Sequence, residues 1–215
     1  MVWQYIGASL SVLSNILLVI LAVYFYRYLS KEIKILAILF ALTFLIEFTS
    51  ILIYLIEDQV NTVWLSHLVT LVQYVFFVGV FALWQKDLSV RKGLLISIPV
   101  FTLIWVVAKF WFEDFSHFDN YTATTAALVL TGISAYTLFQ ISAENTGMIF
   151  DDTRFWIAAG VLLYFTGNLF FLALINDIIK FLPLNYVRLV WSFQWVVTVT
   201  ANILYGGGVL CQQPR

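Results

Sequence analysis

Long apolar runs, broken at intervals by short charged or turn-forming clusters, are the dominant pattern along this chain. A helix needs about 20 apolar residues to cross the hydrocarbon layer of a bilayer, and cutting at those clusters leaves seven segments of that kind. They are predicted at about Tyr5–Tyr26, Ile35–Ile56, Thr62–Trp84, Gly93–Phe112, Tyr121–Ser142, Phe155–Asn176 and Tyr186–Leu210. The expected fold is all-α: a polytopic membrane protein forming one seven-helix transmembrane domain over residues 1–215. No connection is long enough to hold a folded domain, and no Pro-, Ser- or Gly-rich linker separates parts. Whatever the chain does is expected to happen in the membrane or through short loops and helix ends.

Two of the segments share a pattern. Arg188-Leu189-Val190-Trp191-Ser192-Phe193-Gln194-Trp195-Val196 in the last echoes His67-Leu68-Val69-Thr70-Leu71-Val72-Gln73-Tyr74-Val75 in the third. Each has a cationic or titratable residue, Leu-Val, a glutamine six positions after the first, an aromatic and then Val. A fainter echo links Phe48-Thr49-Ser50, followed by Glu57-Asp58, to Phe165-Thr166-Gly167, followed by Asn176-Asp177, while Tyr5 and Tyr121 match loosely. Self-similarity of this kind implies a chain built twice from one unit. The resulting plan is 3+1+3, with parallel repeats at about 5–84 and 121–210 and a linker helix at about 93–112 that restores the orientation of the second.

Composition agrees with membrane residence. The 215 residues are 62% hydrophobic and 11% charged, with a mean hydropathy of +0.95, against roughly 45–50% apolar and about 25% charged in soluble domains. A net charge of -1 leaves no basic surface for nucleic acid. The single cysteine, Cys211, excludes an intrachain disulfide and a multi-thiolate metal site. Met1–Gln4 carries no Lys or Arg and the first apolar stretch is long, so it reads as a spanning helix rather than a cleavable signal.

Charge also orients the chain. Arg27, Lys31 and Lys34 follow helix 1, Lys86, Arg91 and Lys92 follow helix 3, Arg154 precedes helix 6 and Arg215 ends the chain. The opposite loops carry Glu57 and Asp58, then Glu113, Asp114 and Asp119, then Asp177 beside Lys180. Lys and Arg are retained on the cytoplasmic side, which places the amino terminus outside and the carboxyl terminus inside. Loop Glu144–Asp152 is acidic although expected inside, but the rule counts positive residues rather than net charge.

Ionisable groups inside a membrane are costly, tend to face the bundle interior and mark function. Glu47 is the only acidic residue well inside a predicted helix. Counting along the helices puts Asn15, Gln73, Asn168 and Gln194 at similar depth, with His67 and Arg188 nearer the outside. Arg188 is a planar donor suited to carboxylate or phosphate, His67 titrates near neutral pH, and Glu47 could pair with either. These seven residues form the candidate ligand-binding set. The competing reading is interhelical hydrogen bonding, worth about 0.6 kcal/mol on average, and for Arg188 snorkelling to the headgroups. Lys109, Trp111, Trp3, Trp64 and Trp84 read as interface anchors. Gly206-Gly207-Gly208 reads as a structural close-contact segment, and Gly160 and Gly167 are not spaced as GxxxG.

No HExxH motif occurs, His117 lies in a predicted loop and no Ser, His and Asp share a layer, so no catalytic residue, metal or cofactor is expected. An opsin-like retinal site would need a lysine in the last helix, and Tyr186–Leu210 has none. The 3+1+3 plan resembles that of SWEET-type transporters. Their hinge prolines and Pro-Gln pairs are missing, since of three prolines only Pro99 lies in a predicted span.

At Phe155-Trp156, Phe165-Thr166-Gly167-Asn168-Leu169-Phe170 and Asn202-Ile203-Leu204-Tyr205 the chain resembles short, uncharacterised seven-helix bacterial membrane proteins associated with sensor histidine kinases. The resemblance covers helices 6 and 7 and implies a bacterial inner (cytoplasmic) membrane, with no ligand or catalytic residue to carry over. The first functional expectation is a sensing or ligand-binding module in the bilayer, with a small-molecule site in the outer half, acting through a signalling partner. The alternative is a small-solute transporter, proton-coupled through Glu47, whose polar path would continue inward by Asn202 and Gln140. A structural subunit of a membrane complex is the third.

Overall fold

The structure, a computed structural model, describes residues 2–56, 61–144 and 148–212, and within them all side chains except those of residues 2–9, 54 and 55. Glu57, Asp58 and Arg215, used above for orientation, and the side chains of Trp3 and Tyr5 lie outside the described residues.

Among the described residues seven α-helices follow one another: α1 (Val2–Tyr24), α2 (Lys31–Ile56), α3 (Trp64–Trp84), α4 (Leu88–Trp111), α5 (Asn120–Glu144), α6 (Thr153–Phe181) and α7 (Leu184–Leu210). A single 3-10 turn, Ile149–Asp151, precedes α6. Helices α2 to α7 contain stretches long and apolar enough to cross a membrane, and α1 contributes the apolar segment Leu10–Tyr24.

The helices run past the boundaries expected from charge. Helix α2 takes in Lys31 and Lys34, α4 takes in Arg91 and Lys92, and α6 continues through Asp177 and Lys180 to Phe181. Lys, Arg and Glu are good helix formers, so the backbone stays helical where the sequence leaves the hydrocarbon zone. Capping then ends the helices: Asp87 accepts from the Ser89 N–H at the start of α4, and Asp152 accepts from the Arg154 N–H at the start of α6.

Packing follows a ring. Helix α1 lies against α2 and α7, α3 joins α2 to α5, and α6 joins α5 to α7. Helix α4 packs on the outside against α3, with a minor contact to α5, and of its residues only Phe101 and Ala108 are fully buried. The core inside the ring is apolar: Leu18, Leu36, Leu39, Val78, Phe81, Ile157 and Val161 are buried. The outer surface is apolar as well, with Leu17, Ile38, Leu45, Leu103, Phe170 and Ile203 exposed, as expected where the solvent is lipid.

The seam between α6 and α7 is the tightest. A Cβ on Gly160 would lie 2.5 Å from Tyr205 Cε1, and one on Gly167 would lie 2.9 Å from Val197 Cγ1. Seven residues apart is about two helical turns, so both glycines face α7. From α7, a Cβ on Gly207 would meet Trp156 at 2.9 Å and one on Gly208 would meet Ile157 at 2.8 Å. Small residues let helices approach closely where lipid supplies no hydrophobic drive for association.

Two ends of the bundle are tied by side chains. At the first end, where α4 passes to α5, the loop is held on α3 and α6. His67 Nε2 donates to the His117 carbonyl at 2.8 Å, and Asn176 bonds both the N–H and the C=O of Phe118, at 3.1 and 2.9 Å. At the second end, Ser30 N donates to Gln212 Oε1 at 2.6 Å, and Glu144 binds Lys86 at 3.0 Å and Arg154 at 3.3 Å. Exposed aromatics ring both ends, with Trp111, Phe112, Tyr121 and Tyr186 at the first and Tyr24, Tyr26 and Tyr28 at the second. Aromatic belts of this kind sit at headgroup level.

Candidate functional site

A chain of polar contacts crosses the middle of the bundle. Asn15 of α1 donates through Nδ2 to Glu47 Oε2 of α2 at 2.9 Å, and its Oδ1 accepts from Asn202 Nδ2 of α7 at 2.9 Å. Asn202 also donates to Ser14 Oγ at 2.7 Å, and Ser14 in turn donates to the Ser11 carbonyl at 2.6 Å. From Asn202 through Asn15 the amide donors run toward the Glu47 carboxylate, while Ser14 donates back to its own helix. Asn15 is thereby paired at both ends of its amide, which is what a buried amide in hydrocarbon requires.

Beside this chain is a cavity of about 30 Å³, lined from five helices: Asn15 of α1, Thr43 and Glu47 of α2, Gln73 of α3, Tyr164 of α6, and Thr198, Asn202 and Tyr205 of α7, together with the apolar Leu39, Phe40 and Phe77. The Gln73 and Tyr164 side chains meet across it. That volume has room for about one or two waters. The Thr43 and Thr198 hydroxyls donate back to their own helices, at the carbonyls of Leu39 and Phe40 and of Gln194. Tyr205 is fixed by ring contacts with Phe40 at 5.1 Å and Phe77 at 6.1 Å. Glu47 Oε1 takes part in no hydrogen bond among the described residues.

Three of the seven candidate residues, Asn15, Glu47 and Gln73, line this cavity. The other four lie elsewhere. His67 is fully buried at the first end, its Nε2 on His117, its ring 5.1 Å from Phe115 and its carbonyl accepting from Trp105 Nε1 at 3.1 Å. Asn168 is buried with Nδ2 on the Tyr164 carbonyl at 2.9 Å and Oδ1 without a partner among the described residues. Arg188 is half-buried and makes no ion pair among the described residues, and the half-buried Gln194 reaches the site only through its carbonyl, which holds Thr198. Glu47 pairs with Asn15, not with His67 or Arg188.

Sequence reasoning placed Asn202 on an inward path, whereas it is a member of the site. Gln140 bonds Tyr136 at 3.1 Å on α5, outside the cavity. Tyr164, Tyr205, Thr43 and Thr198 were not singled out. Thr43, Thr198 and Tyr205 lie one helical turn from Glu47 or Asn202, which was the available signal, but hydroxyls and tyrosines are common in apolar helices, and Tyr164, on α6, had no such neighbour.

A second polar assembly corrects the reading of Lys109 as an interface anchor. Lys109 Nζ and Glu113 Oε2 are 2.6 Å apart, with side chains 5% and 4% exposed. Glu113 Oε1 accepts from the backbone N–H groups of Tyr121 and Thr122 at 2.7 and 2.9 Å, so a residue from the preceding loop caps α5. Burial pushes the Glu113 carboxyl up, but the Lys109 ammonium, the Thr122 N–H and the Thr122 hydroxyl outweigh it and hold the group below its ordinary value. The neighbouring Asp114, on the exposed side of the loop, is held down to about 2 by hydrogen bonds from the Ser116 hydroxyl and N–H and from His117.

No protein-family model, curated protein or solved structure matches this chain.

Proposed function

We propose that the protein is an integral membrane sensing module whose ligand site is the central cavity and whose output passes to a partner protein at the helix ends. The observation that carries this reading is the convergence of polar side chains from five helices on one small cavity containing the bundle's lone mid-membrane carboxylate. The orientation is taken from the Lys and Arg distribution, amino terminus outside, and the bilayer is taken as a bacterial inner membrane. The cavity's size favours a ligand close to water in bulk, rather than a sugar or an acyl chain. Readout belongs at the second end, where Gln212 holds the start of α2 and the Gly206–Gly208 segment of α7 closes on α6. No catalytic role is assigned.

Ligand panels against the thermal stability of the lipid-held protein test this. A species that stabilises wild type and the Arg188→Gln protein but not Glu47→Gln or Asn202→Leu supports the site. At a hundredfold excess over Kd the expected stabilisation is about 2.7 kcal/mol. A panel of small ions, small polar solutes and lipids that moves none of the four proteins removes it.

A transporter is the second reading, favoured by neighbour order. Exchanging α1, α2 and α3 for α5, α6 and α7 maps the ring of helix contacts onto itself, as the 3+1+3 parallel repeat requires. Against it, the core among the described residues includes buried Leu18, Leu36, Ile157 and Val161, apolar positions one or two turns from cavity residues toward the second end. Solute flux into vesicles that falls in Glu47→Gln would favour transport over sensing.

A further inference from the structure

We infer that Glu47 is a proton-exchange site: Oε1 takes a proton from a hydronium formed on water in the central cavity and returns it to that water, while Oε2 stays on the Asn15 amide. This rests on the central cavity being the functional site and names its occupant.

The charge inventory around Glu47 carries the argument. Helix α1 brings Asn15, α3 brings Gln73, α6 brings Tyr164, and α7 brings Asn202 and Tyr205. Among the described residues the titratable groups facing the carboxyl are therefore two tyrosines, and no Lys, Arg or His lines the cavity. An unpaired carboxylate in a membrane interior is strongly disfavoured, so the group is neutralised by a metal cation or by a proton.

The hydrogen-bond directions select the proton. A dehydrated metal ion needs a shell of oxygen ligands. Asn15 instead presents its NH₂ to Glu47, at 2.9 Å, and its oxygen is taken by Asn202. Asn202 likewise directs its NH₂ into the chain, at Asn15 and Ser14. Amide hydrogens set against the carboxylate suit an anion that alternates with a neutral acid, and they repel a cation. A cavity of about 30 Å³ with polar walls accepts about one or two waters, enough for an exchange partner. In the step itself a hydronium O–H bond breaks with its electron pair left on the water, and an O–H bond forms on Oε1. The products are the carboxylic acid and water, and no electron is transferred.

Infrared difference spectra of the full chain in lipid nanodiscs, titrated from about pH 4, in the ordinary range of free carboxyls, up to about pH 9, test the assignment. Wild type is expected to show a protonated-carboxyl C=O band that titrates, shifts in D₂O and is absent from Glu47→Gln. In Asn15→Leu the band persists at a different frequency, because the Oε2 hydrogen bond is gone. Should Glu47→Gln fail to fold, Glu47→Asp serves: its shorter carboxyl has to carry the band at an altered frequency. Survival of an unchanged band in either Glu47 variant, or no titrating band in wild type, overturns the proposal. So does a band that changes when sodium replaces choline at fixed pH, since a metal ion is then competing for the site. A titrating band without any ligand-induced thermal shift would remove the sensing reading and leave the proton site standing.

Discussion

Asn15 and Glu47, from α1 and α2, are joined at 2.9 Å, and the same Asn15 amide is held at 2.9 Å by Asn202 of α7. One side chain thus connects three helices, and α1 and α7 are joined a second time by the Asn202–Ser14 bond. Replacing Asn15 by Leu, close in volume, is expected to cost about 1–3 kcal/mol, because it strands a carboxylate and an amide rather than simply deleting a bond. Asn202→Leu, which leaves the Glu47 bond in place, should cost less. Unfolding of both variants by denaturing detergent in mixed micelles measures the order, and equal losses would show that Asn15 does not act as the joint.

The close contact of α6 with α7 is similarly open to test. Gly160→Ala puts a methyl group 2.5 Å from the Tyr205 ring and 3.3 Å from the Ala201 carbonyl. Overpacking of this kind costs about 1–3 kcal/mol, and here it also displaces Tyr205 from the cavity wall. Gly132→Ala on α5, with nothing within 4 Å, is the matched control and is expected to be neutral or slightly stabilising. Thermal midpoints of the two proteins in the same lipid give the comparison.

At the first end, the buried Lys109–Glu113 pair should make stability depend on acid. The Glu113 carboxyl is held below its ordinary value of 4.5 in the folded protein. Its contribution is therefore complete above that value and is lost as pH falls below it, through the folded-state value. Glu113→Gln abolishes this component, so the difference in thermal midpoint between wild type and variant should shrink as the pH is lowered below about 4.5. Lys109→Met, which leaves Glu113 buried without its cation, is expected to cost about 3–5 kcal/mol.

Arg188 supplies the contrasting case. It is half-buried and has no ion-pair partner among the described residues, so Arg188→Gln is expected to change stability by less than about 0.5 kcal/mol. A large loss in the thermal midpoint would mean that its guanidinium is engaged within the folded chain.

What the sequence by itself determined is set along the helix axis. Run length and composition identify the apolar spans, and a lone acid in the middle of an apolar run identifies Glu47, because both are one-dimensional signals. Depth is legible in part: at about 1.5 Å per residue, counting places Asn15, Gln73, Asn168, Gln194 and Glu47 at one level, and Asn15, Gln73 and Glu47 line the cavity. The tertiary structure decided azimuth and neighbours. It turned Asn168 and Arg188 away from the cavity, set His67 against the α4–α5 loop, brought Asn202 and Tyr164 to the site, put α4 outside the ring and buried Lys109. The reason is physical. A helix in lipid is apolar on the side facing the bilayer and on the side facing the core, so no amphipathic stripe marks its inner face. Which side faces inward is settled only by close packing, as where Gly160 admits Tyr205, and by the few polar groups that must find partners.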